Sequence, residues 1–311
     1  MANAVTAIIN PVHTEPAVPE TLLFEIGAVN QLTVSYHPLD TARPAVPYTD
    51  NGTTAGNATK PNSLASAAVG GVINVFGLTD VAGQPADKPR KYNISRLSPI
   101  ANPLRPNYGL TTIHPTISAV SDGATVWLYY LEQEVEGEDP VLYEVTLARG
   151  SKPNVNSRET PVSAGSKLAA FYDADKHRRV VFNQHIPKSG EATYLQMVTI
   201  EQNGSTSSTK ISASGVAQAG SPLVVTTVAG KSGAARDIYL YMTNSNQQLY
   251  RIRQTGGDWQ SPELIKTTEN SIVLKGSQLV AVADAAHNHV FFIEKENQDN
   301  GYVNHRDPLV Q

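Results

Sequence analysis

The sequence predicts an all-β chain folded as one six-bladed β-propeller spanning residues 1–311. Three observations carry that prediction. The first is the stretch from Arg236 to Ile265, RDIYLYMTNSNQQLYRIRQTGGDWQSPELI. DIYLYMT has the alternation and the aromatic or branched content of a half-buried strand. NSNQ is turn chemistry, because Asn and Ser bond locally and tolerate tight backbone angles. QLYRIRQ is a second alternating strand, GGD a second turn, and Trp259 opens a shorter outer strand ending at Ile265. With the more apolar SPLVVTTV upstream, this makes one four-stranded antiparallel blade, which needs neighbours of its own kind to bury its faces.

The second observation is recurrence. Strand centres equivalent to Tyr241 fall at Phe24 (TLLFEIG), Phe76 (GVINVFG), Tyr129 (TVWLYYLE), Val181 (RRVVFNQ) and Phe291 (NHVFFIE). In chain order the six centres are 52, 53, 52, 60 and 50 residues apart, a period in the range of propeller blades. The third is that each centre is preceded by a strand of small apolar residues: AVTAIIN, SLASAAV, PTISAVS, SKLAAFY, SPLVVTT and SQLVAVA.

The elements follow in order. Blade one uses AVTAIIN, TLLFEIG and NQLTVSYH, and the segment from His37 to Asn62 reads as a surface excursion. Blade two runs from Ser63 to Pro99 with a tip at GQPADKPRK. The irregular NPLRPNYGL leads to His114 and Pro115, where blade three begins. Blade three pairs TVWLYYLE with PVLYEVTL across the acidic tip EVEGEDP, and blade four pairs RRVVFNQ with TYLQMVTI. Blade six ends in YVNHRD. The two terminal segments are expected to share one sheet, which would remove an exposed edge. No segment shows sustained helical periodicity.

Composition narrows the function. The net charge is −4 with no basic block, which argues against a nucleic-acid partner. The chain has no cysteine, so disulfides and thiolate metal sites are excluded. No apolar run is long enough to span a membrane. The start MANAVTAIINPVH lacks a basic region followed by a long apolar core, so a cytoplasmic location is expected. No G-x-S-x-G, H-E-x-x-H or P-loop occurs, and the histidines lack compact ligand spacing. The expectation is therefore no metal and no cofactor.

DIYLYM, QLYRI and GGDW resemble the blade layout of the fungal fucose-binding lectins, and the layout covers the whole chain. In that family a strand-two Arg, a strand-three Glu and neighbouring aromatic residues carry the sugar. The resemblance places Leu22, Asn74, Trp127, Arg179, Tyr239 and His289 at the Arg positions. It places Val34, a residue near Ile94, Glu144, Met197, Arg251 and one near His305 at the Glu positions. The turn Trp is kept at Trp259. A sugar's vicinal hydroxyls need converging donors and acceptors beside an apolar face, and no blade keeps that set.

The pattern also resembles lectin-like propellers that act as intermolecular hetero-Diels–Alderases in fungal tropolonic sesquiterpenoid pathways. That resemblance implies a cofactor-free pericyclase joining a tropolone quinone methide to a humulene-type alkene. Such a step needs orientation and polarisation more than covalent chemistry. Arg179, Tyr239 and His289 are the candidate catalytic donors. Trp127, Asn74, His114, Glu144, Arg251 and Trp259 are the candidate substrate-binding residues. Trp127 and Tyr239 are expected on solvent-facing strand positions, where packing between blades is an equal alternative. The expected partners are small apolar or aromatic molecules, with a homodimer allowed. The alternative is a carbohydrate-binding lectin with degenerate sites and no catalysis, and a third reading is a structural interaction protein.

Overall fold

The computed structural model describes residues 4–11, 20–41, 48–49 (backbone only), 58–60, 63–104, 110–133, 135, 137–187, 193–229, 236–266, 272–296 and 301–309. It is all-β, with six mainly antiparallel sheets set as blades in a ring. Blade one holds β1 (Val5–Ile9), β2 (Glu20–Ile26), β3 (Leu32–Pro38) and β4 (Tyr48–Thr49). Blade two holds β5 (Ala65–Val69), β6 (Val72–Asp80), β7 (Tyr92–Ser98), β8 (Asn102–Pro103) and β9 (Thr111–Thr112). Blade three holds β10 (Ile117–Ser121), β11 (Thr125–Glu132), β12 (Val141–Ala148) and β13 (Asn154–Pro161). Blade four holds β14 (Ala169–Asp173), β15 (Arg178–Gln184), β16 (Leu195–Ile200) and β17 (Thr206–Ile211). Blade five holds β18 (Val224–Val228), β19 (Asp237–Thr243), β20 (Leu249–Thr255), β21 (Asp258–Trp259) and β22 (Glu263–Leu264). Blade six holds β23 (Val280–Ala283), β24 (His287–Ile293) and β25 (Tyr302–Pro308). Among the described residues the one helical turn is a 3-10 turn at Ser212–Ser214, and no helix is long and apolar enough to cross a membrane.

Six hydrophobic clusters hold the ring, one between each pair of adjacent blades. This explains a departure from the sequence reading. DIYLYMT was expected to be half-buried, yet six of the seven residues of β19 are buried, and β15 and β24 show the same pattern. In a propeller each blade is sandwiched by two others. Alternation along strand two therefore sorts left neighbour from right neighbour, instead of core from solvent. Met242 and Leu240 face blade four, whereas Tyr241 and Tyr239 face blade six.

The small apolar strands line the axis, and their entry is locked by a repeated Gly-Ser. Ser166, Ser221 and Ser277 each accept the backbone N–H at the end of strand two, from Gln184, Thr243 and Ile293, at 2.8–3.1 Å. Two expectations are corrected. Among the described residues the two terminal segments do not share a sheet: β1 is the inner strand of blade one, and blade six is a separate sheet of three strands. The ring is closed instead by the apolar cluster of blades six and one, and by Gln278, which accepts from the amides of Val5 and Leu64 and donates to the Leu64 carbonyl. The outer strand after Trp259 is split into β21 and β22. Pro262, between them, has no N–H to offer the ladder.

Candidate ligand-binding site

Strand register sets which side chains meet at each blade junction. Opposite the strand-two centre lies one strand-three residue per blade. The pairs are Phe24 with Val34, Phe76 with Arg96, Tyr129 with Glu144, Val181 with Val198, Tyr241 with Arg251 and Phe291 with Asn304. Three of these residues are charged, and their surroundings differ.

At the junction of blades three and four, Glu144 is 1% exposed. The Tyr129 hydroxyl donates to its Oε2 at 2.8 Å, and Arg158 of β13 forms an ion pair with Oε1. Arg179 of β15 reaches both carboxylate oxygens, at 3.4 and 3.5 Å. The Arg179 guanidinium also lies 5.0 Å from the centre of the Trp127 ring, which stacks on Tyr172 at 5.5 Å. Burial, reinforced by the Glu144 charge, pushes the Tyr129 hydroxyl well above its ordinary pKa. The junction thus brings Trp127, Glu144 and Arg179 together.

The junction of blades five and six repeats the device with its charges exchanged. Here the strand-three residue is the cation, Arg251, and its acid, Asp307, comes from β25. Arg251 Nη1 lies 2.7 Å from both Asp307 oxygens, and Nη2 pairs with Glu263. The Tyr241 hydroxyl donates to Asp307 Oδ2 at 2.5 Å, and burial, then the Asp307 charge, raises its pKa. Burial opposes the Arg251 charge, yet the bond it donates to Glu263 and the charge of Asp307 outweigh it, and the Arg251 pKa is raised. Tyr239 is 1% exposed, with the guanidinium carbons of Arg251 and Arg253 at 5.8 and 5.4 Å from its ring centre.

The other predicted residues are dispersed. His289 is 1% exposed; its Nε2 lies 2.9 Å from Asp284 Oδ2, and its Nδ1 lies 3.1 Å from Asn304 Nδ2. His114 takes the Thr112 hydroxyl on its backbone N–H, and its Nε2 is buried with no partner. Burial, then the nearby Lys167, lowers the His114 pKa. Trp259 sets its ring against the edge of Phe182 at 5.9 Å, in the core of blades four and five. The three candidate donors thus lie in different places and are buried; Tyr239 departs from its expected solvent-facing position because both faces of strand two are covered. The expectation about histidine spacing is also revised: Asp284, His287 and His289 bring donor atoms within 4.8 Å of one another.

Asn74 leads to the third charged position. It lines a groove of about 600 Å³ between blades two and three, together with Val69, Phe76, Arg96, Val126 and Leu147. The Asn74 Nδ2 donates to the Val72 carbonyl at 3.2 Å. Arg96, the counterpart of Glu144 and Arg251, is half-buried and has no ion-pair partner among the described residues, and its Nε is buried without a hydrogen bond. The expectation near Ile94 is corrected: the ladder of β6 and β7 runs without a break from Asp80–Tyr92 and sets Arg96 opposite Phe76. A more polar groove of about 740 Å³ lies beside β13 and β17, but its cation, Arg158, is bound to Glu144.

The arrangement has known counterparts in fold. The chain is 14% identical to the Aleuria aurantia lectin in complex with α-methyl-L-fucoside, covering 98% of this chain and 95% of that one with a TM-score of 0.67. AofleA from Arthrobotrys oligospora is 12% identical, with 99% and 87% covered and a TM-score of 0.64. BP39L lectin from Burkholderia pseudomallei is 14% identical, with 99% and 84% covered and a TM-score of 0.61. The likeness is one of fold. In sequence, the chain is 28% identical over 284 residues to the wall-associated proteinase of Coccidioides immitis, covering 90% of this chain and 83% of the relative. No family model matches the chain.

Proposed function

We propose that this chain is a carbohydrate-binding propeller without catalysis, and that its binding site is the groove between blades two and three. The Arg96 guanidinium, which has no ion-pair partner among the described residues, beside an apolar wall carries the reading. A guanidinium offers up to five donors in a fixed fork, suited to adjacent hydroxyls or a uronate. Val69 and Leu147, both half-buried, supply a surface for the C–H face of a pyranose, and Asn74 adds a side-chain carbonyl acceptor. Sugar ligation by Arg96 would replace the lectin arrangement, because the strand-two Arg and the strand-three Glu of blades three and four are bound to each other. The name of the wall-associated relatives makes wall polysaccharides the first ligands to test.

The proteinase reading has less support. Histidine rings contact Asp284, Asn304, Thr41, Gln196 and Tyr172, and in none of these contacts does a serine hydroxyl face the ring.

The hetero-Diels–Alder reading stands second, favoured by the apolar lining of the same groove. There Arg96 would polarise the carbonyl of the heterodiene while the wall held the alkene. In that reading Arg179, Tyr239 and His289 would support the fold, being buried and engaged. One experiment separates the two. Wild type and Arg96→Ala are applied to an array of wall glycans and fucosides, and in parallel to a tropolone quinone-methide precursor with a humulene-type alcohol. Glycan binding that Arg96→Ala loses, with product rates and isomers equal to the protein-free control, supports the lectin. Accelerated, stereoselective product without glycan binding supports the pericyclase and overturns the proposal.

A further inference from the structure

Blade six carries a cluster outside the groove. Asp284 directly follows β23, and His287 and His289 are two residues apart on β24, so both rings project from one face of the strand. Their rings lie 6.0 Å apart, centre to centre. The carboxylate stands between them: Oδ2 is 2.9 Å from His289 Nε2 and Oδ1 is 3.9 Å from His287 Nδ1. It is held by the hairpin, because Oδ1 accepts the backbone N–H groups of Ala286 and His287 at 2.7 Å each. The bonds from His289 and the two amides outweigh burial, the largest single influence, and leave the Asp284 pKa below its usual value. The side-chain exposures are 17% for Asp284, 35% for His287 and 1% for His289, so the cluster opens to solvent on the His287 side.

From this geometry we infer that Asp284, His287 and His289 form a site for a divalent transition-metal ion, Zn²⁺ in the first instance. Two imidazole nitrogens and one carboxylate oxygen are a donor set that Zn²⁺ accepts, with a fourth position left for water. Donors on a tetrahedral Zn²⁺ at about 2.0–2.2 Å lie roughly 3.3–3.5 Å apart, so the half-exposed His287 ring has only a short distance to close. A second observation concerns His289. Metal ligation by Nε2 requires the proton on Nδ1, and that proton requires an acceptor. Asn304 supplies one: its Oδ1 is buried without a partner, and its amide already touches Nδ1. Turning the amide over presents Oδ1 to Nδ1–H, at the loss of the bond from Nδ2 to the Thr41 carbonyl.

The test titrates the purified chain with Zn²⁺ by calorimetry and with Co²⁺ by visible absorption. The wild type is compared with His287→Ala and Asp284→Asn. His287 is half-exposed, and Asn at 284 retains an oxygen for the two hairpin amides, so both variants should fold; unfolding midpoints verify this. His177→Ala, at an exposed position elsewhere, serves as the control. The expected result is one ion per chain, a Co²⁺ band typical of four-coordination, and affinity lower by about 10–100-fold or more in both variants and unchanged in the control. Absence of saturable binding in the wild type, or equal affinity in the wild type and His287→Ala, would overturn the inference.

Discussion

The junction of blades three and four and the groove between blades two and three are built on the same framework and end in opposite states. In each, a strand-three charge faces the neighbouring blade: Glu144 in one, Arg96 in the other. Glu144 receives Tyr129, Arg158 and Arg179, leaving no charged group free to meet a ligand. Arg96 receives no counter-charge among the described residues and opens on a groove of about 600 Å³. The blade five and six junction belongs with the closed kind, with its charges exchanged. A scaffold with six equivalent positions can thus spend a charged pair on joining two blades, or leave one charge for a ligand. An internal partner at fixed distance always outcompetes a dilute external one.

The largest expected effect is on the closed side. Replacing Glu144 by Ala would leave Arg158 and Arg179 buried and unpaired, and should destabilise the chain by about 3–5 kcal/mol, read by chemical denaturation. Arg251→Ala should act on a similar scale, because Asp307 is 6% exposed. If both variants kept the wild-type midpoint, the junctions would not be the fastenings described here. On the open side, Arg96→Ala should leave stability within about 0.5 kcal/mol, since it removes a cation with no ion pair among the described residues. The same change should weaken glycan binding by about 1.5–3 kcal/mol, roughly 10- to 150-fold. A smaller loss, about 0.5–1.5 kcal/mol, is expected for Asn74→Ala in the same titration. Equal binding by Asn74→Ala and wild type would remove Asn74 from the site and leave Arg96.

The smallest effect concerns pH. Burial, then Lys167, lowers the His114 pKa, and burial lowers that of His305 with Asp307 opposing. The unfolded chain therefore binds more protons than the folded one as pH falls below the ordinary histidine value. This contribution to stability is complete above about pH 6.5 and declines below it. The denaturation midpoint should drop between about pH 7 and pH 5, and less so in His114→Gln.

Much of the fold was legible in the sequence because its signals are local. The recurring strand centres from Phe24 to Phe291, the small inner strands and the turn residues all reflect short-range rules, and each blade repeats them. Burial of strand two on both faces was not legible: Tyr239 and Trp127 alternate in the same way whether the far face meets water or a neighbouring blade. Of the site, the set Trp127, Glu144 and Arg179 could be listed from resemblance, yet their mutual bonding depends on contacts between residues 35 apart in the chain. Arg96 was missed because the long tip from Val81 to Lys91 hides where the ladder of β6 and β7 begins, and Met197 was expected opposite the blade-four centre, where the ladder sets Val198. Pairing register across a long connection leaves little trace in alternation patterns.

The most direct test measures one variant twice. Arg96→Ala and wild type are titrated with whichever wall glycan wild type retains on an array, and both are unfolded in denaturant under the same conditions. Binding reduced by about 10-fold or more with coincident unfolding curves is the predicted result. Unchanged binding with a large loss of stability would contradict the account, placing Arg96 among the structural charges and leaving the groove without its ligand-binding group.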